Sequence, residues 1–136
     1  MQLNYLIDLH KPTIKIKLGK DSIPNINKAY LESILLNLLT NAIKYRNPSK
    51  KLIIHIKTKI KQDKILLTFE DNGIGIDMER NKDKIFGLYQ RFHNYPDSKG
   101  LGLYLVKSQV ETMDGTIEVQ SEVEKGTKFT LTFNNY

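Results

Sequence analysis

Alternation of apolar and polar residues predicts β-strands along much of the chain. Thr13–Leu18 reads TIKIKL, and from about Leu52 the even-numbered residues are mostly apolar while the odd-numbered ones include His and several Lys. One parity is therefore expected to face a core and the other solvent. This second strand leads through a tight turn at Gln62–Asp63 into a third, as a β-hairpin. The last three strands are predicted over Ile65–Glu70, Thr116–Glu122 and Lys128–Phe133.

Apolar residues at helical spacing predict two long helices. The first begins after a cap at Asn25 or Asn27 and runs to about Arg46. It ends at Asn47–Pro48, because proline disfavours the helical conformation in the residue before it. The second helix is predicted over Leu101–Met113.

Two shorter features complete the pattern. Asp114–Gly115 closes the second long helix, and Gly115 is the predicted left-handed cap. Ile85–Phe92 is apolar and aromatic and is predicted to be a short helix. Strands and helices in mixed order, with antiparallel hairpins, favour one domain over residues 1–136: a single sheet with helices on one face, a two-layer sandwich.

Composition and charge exclude some classes of site and leave others open. The 136 residues include no Cys, so disulfides and thiolate metal sites are excluded. No apolar run reaches the ~20 residues that a membrane span requires. The net charge of +6 is compatible with nucleic acid, a membrane surface or a phosphate-bearing ligand. The lysines between Lys50 and Lys64 form either a solvated strand face or a face that binds a partner.

The first long helix carries a polar stripe beside its apolar face. Asn37, Asn41 and Lys44 lie at positions i, i+4 and i+7, and Tyr45 flanks them. An amide oxygen is a hard ligand that suits Mg²⁺, and an ammonium group suits a phosphate. The alternative is an ordinary polar helix face.

The stretch FEDNGIGID (69–77) places a lone carboxylate, Asp71, at the end of a strand. A buried carboxylate needs hydrogen-bond donors, and the exocyclic amine of adenine supplies one. Guanine presents a carbonyl at that position and does not. Gly73 and Gly75 allow close approach of the backbone to a flat base. The alternative is a surface turn with a side-chain-to-backbone hydrogen bond.

In the stretch SKGLGLYLVK (98–107), Gly100 and Gly102 precede or open a helix. The free N–H groups and the positive end of the helix dipole favour phosphate there. Arg91 and Lys99 bracket the preceding loop, and either is able to reach a terminal phosphate. Taken alone this signal is weak.

The order of these motifs resembles the ATP-binding domain of sensor histidine kinases, within the superfamily of gyrase, heat-shock chaperone, histidine kinase and mismatch-repair ATPases. LLNLLTNAIKY resembles the asparagine motif, FEDNGIGI the first glycine motif, IFGLYQRFH the phenylalanine motif and KGLGLYLVK the second glycine motif. The resemblance covers about Thr13 to Phe133. It implies an α+β, two-layer sandwich known as the Bergerat fold: a mixed, largely antiparallel sheet of about five strands backed by three helices.

The resemblance also implies roles for particular residues. Asn41 is the expected Mg²⁺ ligand, and Asp71 and Thr127 hold the adenine with a bound water. The segment from about Phe92 to Lys99 is the expected lid, although Ser98 stands where the family often has glycine. The expected catalytic residues are Asn37, Lys44 and Arg91. The expected nucleotide-binding residues are Asn37, Asn41, Lys44, Tyr45, Asp71, Gly73, Gly75, Ile76, Phe86, Arg91, Lys99, Gly100, Leu101, Gly102, Leu103 and Thr127.

The expected reaction is phosphoryl transfer. In the hydrolytic branch of the superfamily a glutamate activates water one turn before the metal ligand, and here that position is Asn37, a poor base. His10, His55 and His93 do not resemble the phosphoacceptor of the family. The chain is therefore expected to be a catalytic fragment that uses ATP and Mg²⁺ but lacks its acceptor and dimerisation domain.

The expected partners are that dimerisation domain and, indirectly, a response regulator, with no nucleic acid and no direct membrane insertion. The fragment is expected to be a cytoplasmic monomer, and the full-length protein a homodimer that can be anchored in a membrane. The alternatives are an anti-sigma-factor-type serine kinase, a domain that only senses nucleotide, and a basic nucleic-acid-binding module.

Overall fold

A computed structural model describes residues 12–17, 26–87 and 102–134. These residues form five strands and three α-helices, one of them a single turn. The strands are β1 Thr13–Lys17, β2 Ile53–Lys61, β3 Lys64–Asp71, β4 Thr116–Glu122 and β5 Gly126–Asn134. The helices are α1 Lys28–Lys44, α2 Met78–Asn81 and α3 Gly102–Thr112.

The strands form one mixed sheet in the order β1-β2-β3-β5-β4. β1 runs parallel to β2, and the other three pairs are antiparallel. The connection from β1 to β2 contains α1, as a parallel pair requires. The predicted two-layer sandwich with a mixed, largely antiparallel sheet is therefore confirmed.

The core lies between one face of the sheet and the two long helices, which pack against each other. Odd-numbered residues of β3 and β5 point into it, and Phe69 and Phe129 are each 1% exposed. From α1 the core receives Ile34, Leu38, Leu39, Ala42 and Ile43, and from α3 Leu103, Val106 and Val110.

The opposite face of the sheet is open and basic on the β2 side. Lys57, Lys59 and Lys61 are exposed, while Ile54 and Thr58 of the same strand are buried. This confirms the predicted inward and outward parities. In the described part of the chain, no helix is long and apolar enough to cross a membrane.

Two local predictions are corrected by the structure. The left-handed residue after α3 is Asp114, with φ of 57°, and not Gly115. The N–H groups of Asp114 and Gly115 donate to the carbonyls of Glu111 and Val110, so the helix ends in a Schellman motif. Gly115 is required for a different reason: a Cβ there would lie 2.7 Å from the Thr132 carbonyl oxygen.

The second correction concerns the stretch after the first glycine motif. The structure has a one-turn helix at Met78–Asn81, capped by the Asp77 side chain, which the apolar pattern did not predict. Residues 82–86 form turns, so the predicted helix over Ile85–Phe92 does not begin at Ile85. Its part from residue 88 onward lies outside the described residues.

Candidate functional site

The predicted polar stripe lies on α1, whose start is fixed by Asn27. The Asn27 side chain accepts a hydrogen bond from the Tyr30 N–H at 3.1 Å, as an N-cap does. Asn37, Asn41 and Lys44 are half-buried on the last two turns of this helix. Their spacing of four and three residues keeps them on one side of the helix.

The end of α1 is joined to the first glycine motif through the carbonyl of Tyr45. This oxygen accepts the Ile74 N–H at 2.9 Å. A Cβ on Gly73 would lie 2.6 Å from the same oxygen and 2.9 Å from the Asp71 carboxylate. Gly73 is therefore needed first because two protein segments meet there. The sequence had predicted glycine at this position for a different reason, the close approach of a base.

Asp71 ends β3 and is only 8% exposed. One of its carboxylate oxygens accepts the Gly73 N–H at 2.8 Å. The pKa of Asp71 is raised from 3.8 to about 6, chiefly by burial; hydrogen bonds from the backbone of Gly73 and Thr127 partly oppose the rise, and the nearby charge of Glu70 adds a little to it. The net rise means that burial outweighs these hydrogen bonds, so that a further donor would favour the ionised carboxylate.

Thr127 lies beside Asp71 because the two residues are partners in the β3–β5 register. Thr127 is buried at 6% exposure, and its hydroxyl lies 2.8 Å from that of Ser121 on β4. Ser121 was not predicted as a site residue. Its position on the core-facing parity of β4, after Ile117 and Val119, is the signal that identifies it as a polar residue held inside.

The turn between β4 and β5 closes over the glycine motif. The N–H of Glu124 donates to the carbonyl of Ile74 at 2.7 Å, and the Ile76 N–H donates to the Ser121 hydroxyl at 2.8 Å. Gly75 has φ of +78°, and a Cβ there would lie 2.1 Å from the Glu122 carbonyl oxygen. The loop that follows Asp71 is thus held on both sides by backbone.

The N-terminus of α3 approaches the polar stripe of α1. Gly102 is the first residue of α3, and a Cβ built on it would lie 4.0 Å from the Asn37 amide oxygen. The first N–H groups of a helix have no partners within the helix. The predicted residues Arg91, Lys99, Gly100 and Leu101, like the predicted lid, lie outside the described residues.

Three further predicted residues belong to the core next to this site. Ile76 is 4% exposed and Leu103 is 5% exposed. Phe86 is half-buried, and its ring packs edge-on against Phe129 at 6.4 Å between centroids. The Lys107 ammonium lies 5.7 Å from the Phe86 ring centre. These residues border the site through packing.

A glycine comparison tests this geometry. We expect Gly75→Ala to lower the free energy of unfolding by at least about 2 kcal/mol, because it combines a left-handed backbone with a steric overlap. Gly102→Ala is expected to change it by less than about 1 kcal/mol, since that position has an ordinary φ and a Cβ there would make only an ordinary contact, 4.0 Å from the Asn37 amide oxygen. Urea unfolding measures both, and equal effects of the two substitutions would contradict the geometry.

The raised pKa of Asp71 predicts a pH-dependent cost to stability. The folded carboxyl, with a pKa of about 6 against a reference value of 3.8, holds its proton more tightly than the unfolded one. Stability therefore falls as pH rises from about 4 to about 6, by about 3 kcal/mol in total, and then levels off. Asp71→Asn has no carboxyl to titrate at this position and should lack this pH-dependent loss of stability. The difference in melting temperature between the variant and the parent should shift in favour of the variant over that pH window, and a constant difference would refute the prediction.

Known proteins resemble this chain in sequence and fold. Residues 26–136 match the family model described as histidine kinase-, DNA gyrase B-, and HSP90-like ATPase. The sensor protein RprX of Bacteroides fragilis is 37% identical over 109 residues, which cover 77% of this chain and 21% of RprX. The histidine protein kinase SaeS of Staphylococcus aureus is 36% identical over 108 residues, covering 76% of this chain and 30% of SaeS.

A solved structure supports the same fold. The mycobacterial sensor histidine kinase MprB superposes with a TM-score of 0.79 at 19% identity, covering 97% of this chain and 90% of that one. The chain thus spans less than a third of the length of the two sequence relatives, 21% and 30%. The family match, which includes both glycine motifs and the asparagine motif, implies that the nucleotide is ATP. The chain belongs to the family of histidine kinase-, DNA gyrase B- and HSP90-like ATPases.

Proposed function

We propose that this chain is the ATP-binding catalytic domain of a sensor histidine kinase, which transfers the γ-phosphoryl group of ATP to a histidine on a dimerisation domain of the same protein. The observation that carries the proposal is the convergence of three separate segments at one end of the sheet. These are the polar stripe of α1, the Asp71–Gly73 corner beside Thr127, and the N-terminus of α3.

The base end of the proposed site is the corner around Asp71. A carboxylate that is buried with too few donors favours a ligand that brings one, and the exocyclic amine of adenine does so. Thr127 adds a hydroxyl next to it. In this proposal Gly73 and Gly75 shape the floor of the pocket, and Ile76 and Leu103 supply apolar surface.

The phosphate end is the cleft between α1 and α3. Asn37 and Lys44 face the phosphates, Tyr45 the ribose, and Asn41 is the proposed protein ligand of Mg²⁺. The donor set fits this ion, because Mg²⁺ prefers oxygen and keeps several waters, so that one protein amide and the phosphate oxygens are sufficient. When bound, Mg²⁺ neutralises the charge of the phosphates. Arg91, Lys99, Gly100, Leu101 and Gly102 are proposed to complete the phosphate contacts.

The residues favour transfer to a side chain over hydrolysis. Asn37 occupies the position at which a hydrolytic member of the superfamily has its general base, and a neutral amide does not accept a proton from water. In the transfer, a ring nitrogen of the acceptor histidine bonds to the γ-phosphorus, the bond to the bridging oxygen breaks, and ADP leaves. Positioning and charge stabilisation by Lys44, Arg91 and the α3 N-terminus supply the catalysis.

The acceptor is proposed to lie outside this domain. His55 is on β2, on the face of the sheet opposite the helices, where it pairs across strands with Glu70. The proposed site is at the end of the helical layer, so His55 is separated from it by the sheet. We therefore propose a dimerisation domain as the direct partner, a response regulator as the downstream one, and a homodimeric full-length kinase whose catalytic domain is cytoplasmic.

Transphosphorylation tests this function. We expect the isolated chain with labelled ATP and Mg²⁺ to bind nucleotide without labelling itself, and to label the histidine-bearing dimerisation segment of its own full-length protein when the two are mixed. The label should be lost in acid and kept in alkali, as for phosphohistidine. An acid-stable label on serine would support the serine kinase instead, and ATP binding without transfer would support a domain that only senses nucleotide.

A further inference from the structure

The Ser121 hydroxyl is the centre of a small hydrogen-bond network next to the proposed base pocket. Its oxygen lies 2.8 Å from three partners on two other segments: the N–H of Ile76, the carbonyl of Gly126 and the hydroxyl of Thr127. The first partner belongs to the glycine motif and the other two begin β5. One side chain thus ties β4 to both segments that surround Asp71.

A count of protons fixes the direction of each of these bonds. The Ile76 N–H can only donate, so Ser121 accepts from it. The Gly126 carbonyl can only accept, so the single hydroxyl proton of Ser121 goes there. The contact with Thr127 then requires the proton of Thr127. With its proton committed to Ser121, the Thr127 oxygen has only lone pairs to offer on its other sides.

We propose that Ser121 is a positioning residue for base recognition: by accepting the hydroxyl proton of Thr127, it turns Thr127 into a hydrogen-bond acceptor beside the Asp71 carboxylate. The inference rests on the proposed ATP site and goes beyond it. Two adjacent acceptors, Asp71 and Thr127, favour a purine edge that carries an amine at position 6. A 6-oxo purine such as hypoxanthine or guanine places a carbonyl oxygen, a third acceptor, where adenine has its amine, which is unfavourable where all groups are partly desolvated.

Loss of Ser121 is expected to remove this preference, because the hydroxyl proton of Thr127 no longer has Ser121 as its acceptor. In Ser121→Ala, the Thr127 hydroxyl loses its acceptor and is free to rotate and donate toward the ligand. A 6-oxo base then gains a donor, while an amine loses an acceptor. A purely structural role of Ser121 would weaken the binding of all nucleotides by the same factor, so the ratio of two affinities separates the two roles.

The test is calorimetric titration of the chain with ATP and with inosine triphosphate, at about pH 8 so that Asp71 is ionised. We expect the parent protein to prefer ATP, so that the dissociation constant for inosine triphosphate divided by that for ATP is above one. Ser121→Ala is expected to lower this ratio about three- to tenfold. Ser121→Thr keeps the hydroxyl and should restore the parent ratio. Ser108→Ala, on the exposed side of α3, is the matched control and should leave the ratio unchanged.

Each other outcome overturns one specific claim. Equal weakening of both nucleotides in Ser121→Ala refutes the role proposed for Ser121 and leaves the ATP site standing. A parent protein that does not distinguish the two nucleotides refutes the adenine pocket itself. If Ser121→Ala melts below the assay temperature, Ser121→Cys replaces it, because a thiol has a similar size and is a much weaker hydrogen-bonding group. A parent-like ratio in Ser121→Cys then refutes the proposal.

Discussion

Asp71→Asn is expected to weaken ATP binding about 10- to 100-fold, the loss that accompanies removal of a hydrogen bond to a charged group. The asparagine keeps one oxygen for the Gly73 N–H, so the corner after β3 should hold its shape. What the variant loses is the negative charge that is proposed to pair with the adenine amine. Its other side-chain group is a donor, which a 6-oxo base accepts, so the preference for ATP over inosine triphosphate should shrink as well.

The pH dependence of binding provides a second measurement of the same group. The pKa of Asp71 in the free protein is raised to about 6, chiefly by burial, so below that pH a proton would compete with a nucleotide in the proposed site for the carboxylate. The affinity of the parent protein for ATP should fall as pH is lowered through about 6, and Asp71→Asn should lack that part of the fall.

Asp77→Asn is the matched control for both measurements. Asp77 carries the same side chain six residues later, where it caps α2 and is partly exposed, and asparagine is an equally good cap. Calorimetry should show parent-like affinity in this variant. Unchanged affinity in Asp71→Asn would contradict the proposed contact between Asp71 and the adenine amine.

Asn41→Ala is expected to abolish most of the gain in ATP affinity that Mg²⁺ provides. The proposed site offers the ion one protein ligand, so the loss of that amide oxygen removes its only fixed attachment to the protein. We expect a loss of about tenfold or more with Mg²⁺ present, and a much smaller loss with a chelator. Titrations with and without the metal measure the difference.

Asn134→Ala is the matched control, since Asn134 lies at the opposite end of the sheet, paired with Lys64 and far from Asp71. Its affinity should equal that of the parent in both conditions. Equal losses for Asn41→Ala with and without metal would mean that Asn41 contacts the nucleotide or supports the helix, and that the ion is held elsewhere.

The order and type of the long elements were predictable because the spacing of apolar residues is a local property. The two parities of β2 and the apolar side of α1 follow directly from which residues must leave water. Helix ends were less predictable. Asp114 and not Gly115 takes the left-handed conformation, and Gly115 is required because a Cβ there would meet the Thr132 carbonyl of a distant strand, a contact that no local pattern reveals.

The site was only partly predictable for the same reason. Asp71 and the asparagines of α1 stand in motifs that the sequence displays. Ser121 does not, because its importance depends on the register that sets it opposite Thr127. The requirement for Gly75 likewise comes from the approach of Glu122, which is 47 positions away along the chain.

The backbone of Ile74 has a consequence for engineering of this domain. Its N–H bonds to the end of α1 and its carbonyl to the hairpin turn at Glu124, so one residue clamps two remote stretches of chain. Val123, in the same turn, is 52% exposed, so the turn resembles a surface loop that tolerates insertions. A tag or an insertion there would nevertheless strain the hydrogen bond between Glu124 and Ile74. Through the bond from Ile74 to Tyr45, the change would be transmitted to the last turn of α1, which bears Asn41.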